Sequence, residues 1–189
     1  MSEKLTLQTQ LDNIRIKLMQ ELDGLKCTKC NFNQFPALTI AYKGGRKGRK
    51  ALNITQYTNY LKNLENAKND LEVLCSNCLQ TRVRTTRSHE QGSEYSLYGK
   101  KYDLKQRQKI MEILDQHNCV KCGHDNFLAL QIGHTKEGLS QRLKQLFKSK
   151  RMELNYYIKN PDTVKQDLQV LCANCVKITK ACLALENMT

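Results

Sequence analysis

Residues 60–78 read YLKNLENAKNDLEVLCSNC, and residues 157–175 read YIKNPDTVKQDLQVLCANC. Tyr60, Lys62, Asn63, Lys68, Asp70, Leu71, Val73, Leu74 and Asn77 return as Tyr157, Lys159, Asn160, Lys165, Asp167, Leu168, Val170, Leu171 and Asn174. Upstream, LDGLKCTKCNFNQFPALTIAYKGG (22–45) faces LDQHNCVKCGHDNFLALQIGHTKEG (114–138). There Leu22, Asp23, Lys29, Phe35, Ala37, Leu38 and Ile40 return as Leu114, Asp115, Lys121, Phe127, Ala129, Leu130 and Ile132. The chain is therefore an internal duplication. The paired cysteines are 44 residues apart in the first copy and 49 in the second, so the length difference falls in the middle segment, where the match fades.

The repeat sets the organisation: a first module over 1–85, a polar linker over 86–101 that matches nothing, and a second module over 102–189. Helical spacing precedes each copy, at Leu11, Ile14, Leu18 and Leu22 and again at Leu104, Ile110 or Met111, and Leu114. Short apolar runs, ALTI from Ala37 and ALQI from Ala129, predict a strand after each first cysteine pair. The middle segment is helix-like, LEVL and LQVL predict a second strand, and a polar, basic helix follows. The fold class is α+β.

Eight of nine cysteines form four Cys-x-x-Cys pairs: Cys27/Cys30, Cys75/Cys78, Cys119/Cys122 and Cys172/Cys175. Cys182 is left over and reads as a small apolar residue of the last helix. Four close pairs suit tetrahedral metal sites better than a disulfide framework. A module of roughly 70–80 residues buries too little apolar surface to be comfortable without a staple. Each copy would place one pair in a knuckle and the other at a helix start, the treble-clef arrangement. Four thiolates fill a zinc ion's coordination shell, so the two expected Zn²⁺ are structural. The N-terminus lacks an apolar secretory core, and no apolar run approaches membrane-spanning length. An intracellular protein of a reducing compartment, cytoplasm or nucleus/nucleoid, is expected.

Lysine and arginine number 31 against 18 aspartate and glutamate, a formal +13. Eight thiolates and two Zn²⁺ would bring this to about +9, still basic, and nucleic acid is the partner such a charge favours. Candidate phosphate contacts are Lys43, Arg46, Lys47, Arg49 and Lys50 in the first copy, and Arg142, Lys144, Lys148, Lys150 and Arg151 in the second. Arg82 and Arg84 follow the second cysteine pair; Lys177 and Lys180 occupy the equivalent helix. Such contacts carry little sequence preference and weaken with salt. Tyr60 and Tyr157 could stack on bases, although an apolar helical face places them in the core.

The second copy, CVKCG…LALQIGHTKEG…DLQVLCANCVKITK, resembles the zinc-stapled branch of the HNH (His-Asn-His) endonucleases over about residues 110–180, and the first copy does so more weakly over about 18–85. The resemblance implies one Mg²⁺, held by an Asp before the first His and by a His or Asn after the final Cys, with that first His as general base. The first His position is His134, the candidate catalytic residue. The two metal-holding positions are Gly133 and Val176, and the three positions of the first copy are Ala41, Tyr42 and Leu79. A base without its cation lacks charge stabilisation at the phosphorus. The expected function is therefore a zinc-stabilised, non-catalytic nucleic-acid-binding protein. The alternatives are an active metal-dependent nuclease using His134, and a zinc-module adaptor docking on a ribonucleoprotein or polymerase.

Overall fold

The structure is a computed structural model that describes residues 2–45, 52–89, 94–135, 146–147 and 149–186. It divides into two compact units, Met1–Val83 with Lys180–Thr189, and Arg84–Thr179. Eight α-helices and two two-stranded sheets are present among the described residues.

In the first unit, helix α1 (Ser2–Leu22) leads to strand β1 (Leu38–Tyr42). Helices α2 (Ile54–Lys62) and α3 (Leu64–Asp70), strand β2 (Leu71–Cys75) and helix α4 (Ser76–His89) follow. The second copy repeats this order: α5 (Glu94–Leu114), β3 (Leu130–His134), α6 (Lys150–Lys159), α7 (Pro161–Asp167), β4 (Leu168–Cys172) and α8 (Ala173–Glu186), the division between the units falling within α4 and within α8. The described parts of 86–101 are helical, the end of α4 and the start of α5, although their polar composition suggests a linker. A polar composition does not forbid a helix; Tyr, Leu and Lys are acceptable helix formers.

The middle segment, expected as one helical pattern, is two helices. The break falls at Asn63 (φ −134°, ψ 82°) and Asn160 (φ −128°, ψ 74°). Asn63 caps α3 by accepting from the Asn66 N–H at 3.1 Å. In the second unit Pro161 occupies the first turn, where its missing N–H costs nothing. The same bend is therefore made by two local devices.

Both hairpins are antiparallel, and their registers superpose: Leu38 faces Cys75 and Tyr42 faces Leu71, as Leu130 faces Cys172 and His134 faces Leu168. The five extra residues of the second copy thus lie between the end of the first strand and the residue that matches Ile54, in 135–150 against 43–53.

Each unit has its own small core. Leu18, Met19, Leu38, Tyr57, Leu71, Val73 and Leu74 pack with Cys27 and Cys75 in the first. In the second, Ile110, Tyr157, Val164 and Leu168 form one cluster, and Met111, Leu130, Val170 and Leu171 join Cys119 and Cys172 in another. A fully buried aliphatic side chain contributes about 1.5–3 kcal/mol, little of which survives the entropy of ordering so short a chain. The cysteines lie inside these clusters, so a staple through them would hold helix, hairpin and knuckle together.

Candidate metal centres and basic surface

Each sulfur cage is assembled from a knuckle and the start of a helix. In the knuckles the Cys27 N–H donates to Phe32 O (2.7 Å) and the Asn31 N–H to Cys27 O (2.9 Å). The Cys119 N–H donates to His124 O and the Gly123 N–H to Cys119 O, both at 2.8 Å. This turn needs a left-handed residue after the second cysteine: Asn31 has φ 59° and Gly123 φ 73°. A Cβ on Gly123 would meet nothing within 4 Å, so only backbone strain selects glycine there. Each knuckle is tied to the second strand by Thr28 N–H to Val73 O (2.9 Å) and Val120 N–H to Val170 O (3.0 Å). That strand delivers Cys75 or Cys172 at its end, and the first turn of α4 or α8 brings Cys78 or Cys175.

The ligand atoms of Cys27, Cys30, Cys75 and Cys78 all lie within 4.8 Å of one another, and so do those of Cys119, Cys122, Cys172 and Cys175. A regular tetrahedron with Zn–S near 2.3 Å has S···S edges of about 3.8 Å. The Cys30–Cys75 and Cys122–Cys172 sulfurs stand 3.6 Å apart. The cages therefore fit two zinc ions in size and in donor chemistry. Electrostatics agrees. Burial pushes the Cys27 thiol up, but hydrogen bonds with the backbone of Cys75, Lys29 and Cys30 outweigh it and hold the thiol down at about 7. Cys119 repeats this balance and the same value, with Cys172, Lys121 and Cys122. Burial, and then the neighbouring cysteines, drive Cys78 and Cys175 far up. A bound cation would stabilise the thiolate form of Cys78 and Cys175, which burial and their neighbours otherwise disfavour. Cys182 sits apart, exposed on α8.

His134 ends β3 and is only 11% exposed; its Nε2 lies 3.3 Å from Glu153 Oε1 on α6, itself 8% exposed. Beside it, the Tyr157 hydroxyl donates to Asp167 Oδ2 at 3.4 Å. Burial, followed by Asp167 and Glu153, raises the Tyr157 hydroxyl's pKa. The first unit has the same layout with other residues: Tyr42 in place of His134, 6.5 Å from the Tyr60 ring, and Tyr60 donating to Asp70 Oδ2 at 3.0 Å. Tyr157 is fully buried and Tyr60 packs on its core, the structural role expected of both. Gly133 and Val176, the positions that the resemblance would give to a metal, lie against apolar side chains. A Cβ on Gly133 would come 3.3 Å from Leu171 Cδ1, and Val176 packs against the cluster of Met111 and Leu171.

The basic residues are scattered in their engagements. Lys43 is exposed and donates to Lys68 O at 2.5 Å, and Arg82 pairs with Glu72. Arg151 is exposed, its guanidinium 4.4 Å from the Tyr102 ring centre. Lys177 and Lys180 are exposed on α8. Arg46, Lys47, Arg49, Lys50, Arg142, Lys144 and Lys148 lie outside the described residues, as do the side chains of Arg84 and Lys150.

Two arginines with no motif around them belong to the scaffold. Arg15 donates to Leu38 O at 3.0 Å and sits over the Phe35 ring at 5.3 Å. Arg107 donates to Leu130 O at 2.9 Å and sits over Phe127 at 4.2 Å. The signal for them lay in the repeat: the offset of 92 that matches Cys27 to Cys119 also matches Arg15 to Arg107.

Among the described residues no helix is long and apolar enough to cross a membrane. No protein-family model matches the chain, and neither a curated protein nor a solved structure matches it.

Proposed function

We propose that this chain is a nucleic-acid-binding protein built of two treble-clef modules, each held by one structural zinc ion, and descended from an HNH-type nuclease whose chemistry it has lost. The observation that carries this reading is a charge of +13 on a scaffold whose two metal cages are closed. A four-sulfur shell has no position left for water or substrate, so the metals hold the fold and the surface does the binding. Phosphate contacts by lysine and arginine then give salt-dependent, sequence-tolerant affinity.

The second reading, an active nuclease, draws on the His134–Glu153 pair, which resembles a base oriented by a carboxylate. Against it stand the near-burial of His134 and the apolar contacts at Gly133 and Val176. The two positions that the resemblance assigns to Mg²⁺, Gly133 and Val176, carry no ligand atom, and the nearby Glu153 carboxylate is engaged by His134.

Zinc-loaded protein mixed with labelled duplex, single-stranded DNA and RNA, with Mg²⁺, Mn²⁺ or EDTA and at two salt concentrations, separates the readings on one gel. A salt-sensitive shift of intact nucleic acid is expected. Metal-dependent cleavage lost in His134→Ala would establish the nuclease instead. Absence of any shift at low salt would favour a protein-docking role.

A further inference from the structure

We infer that Phe147, Met152 and Tyr156 of the second unit form a stacking platform for unpaired bases, so that this module prefers a single strand to a duplex. The inference rests on the nucleic-acid reading above and names the form of the ligand.

The platform is a supported aromatic surface. Tyr156 is 40% exposed and Met152 48%. Tyr156 is held by two rings: Phe147, 5.3 Å away and tilted by 41°, and Tyr157, 5.6 Å away and nearly perpendicular. Phe147 and Tyr157 both belong to the core packing, so the support is rigid. A ring immobilised before binding loses little entropy when a base settles on it.

The fold does not require these side chains. The offset of 97 that matches Cys75 to Cys172 places Met152 and Tyr156 on Thr55 and Asn59 of α2. Both are exposed, and α2 forms with polar residues there. The first unit is thus an internal control: the same helix on the same hairpin stands without an exposed methionine and tyrosine.

Charge selects the occupant. Arg151, exposed in the first turn of α6 one residue before Met152, stacks on Tyr102, and residues 135–151 carry six lysines and arginines against one glutamate. An apolar patch next to Arg151, on a chain segment with such a surplus of cations in its sequence, suits a polyanion that also offers flat faces. Unpaired bases do so and paired ones do not, since their faces are already stacked in the helix.

The test uses the full zinc-loaded chain and fluorescence anisotropy with labelled oligo(dT), oligo(U) and a duplex of equal length. Met152→Thr combined with Tyr156→Asn installs the residues of the first unit at two exposed positions; zinc content reports that the fold is kept. The double variant is expected to bind both single strands about tenfold more weakly, with duplex affinity and the salt dependence unchanged. Tyr156→Phe, which keeps the ring, is expected to bind as the parent does. Photo-crosslinking of halogenated oligo(dU) to the unaltered protein is expected to mark the peptide containing Tyr156. Equal losses on duplex and single strands, or no loss, or cross-links confined to other peptides, overturn the platform while leaving nucleic-acid binding intact. Failure of the parent protein to bind any of the three overturns the underlying reading as well.

Discussion

The two units share a sulfur cage, a hairpin register, an arginine on the first strand's carbonyl and a tyrosine–aspartate pair. They part at the end of the first strand and on the middle helix. Tyr42 stands against Tyr60 in the first unit, and His134 with Glu153 fills that place in the second. Thr55 and Asn59 line the outer face of one helix, Met152 and Tyr156 that of the other. What recurs is what each unit needs to fold around its cage. What differs is what the scaffold tolerates, and there the second unit has kept or acquired its distinctive chemistry.

The largest test of this division removes a cage. Cys172→Ser is expected to bind one zinc in place of two and to lose amide protection across the second unit only, since the metal-coupled folding energy is on the order of 10 kcal/mol. Loss of protection in the first unit as well would end the view of two separately stapled modules. Smaller is the arginine brace. Arg107→Met leaves a buried carbonyl and costs about 2–3 kcal/mol in denaturant unfolding. Arg15→Met, on a side chain 20% exposed, costs about 1 kcal/mol. The reverse order would show the two braces to be unlike.

The third test converts one unit into the other. His134→Tyr takes the imidazole from a nearly buried carboxylate and is expected to cost about 1–2 kcal/mol. Adding Glu153→Gln, the residue type of Gln56 in the first unit, should recover most of it, and a double-mutant cycle reads the coupling. Additive losses would mean the pair does not interact. The smallest effect is a null between units. Despite burial, Cys27 and Cys119 are both lowered from the ordinary thiol value of 9.0 to about 7 by their backbone hydrogen bonds. A depressed thiol contributes stability in full above its ordinary value and loses it as pH falls through about 7. Both cages should therefore give up zinc over one pH range, in a single release step followed with a chromogenic chelator. Two well-separated steps would show that the differing surroundings reach the cages.

Much of the scaffold was legible because its signals are local. A Cys-x-x-Cys pair lies within one turn of chain, and its four occurrences with matched flanks gave the ligands and the duplication together. The mostly apolar segments LEVL and LQVL before Cys75 and Cys172 marked strands for the same reason. The bend at Asn63 and Asn160 was not legible, since the apolar spacing continues through it and only the caps betray the break. Nor did polarity in 86–101 announce the helices found there.

Residue type and spacing by themselves determined the repeat, the two cages and the basic charge, all properties of short segments or of the whole composition. Tertiary structure alone decided which side chains meet. Tyr156 and Tyr157 are neighbours in the chain, yet one is exposed and the other fully buried. His134 finds Glu153 only because β3 and α6 are packed together. The physical reason is that contact energies fall off over a few ångströms in space, whatever the separation along the chain, so pairing and exposure are set once the elements have docked.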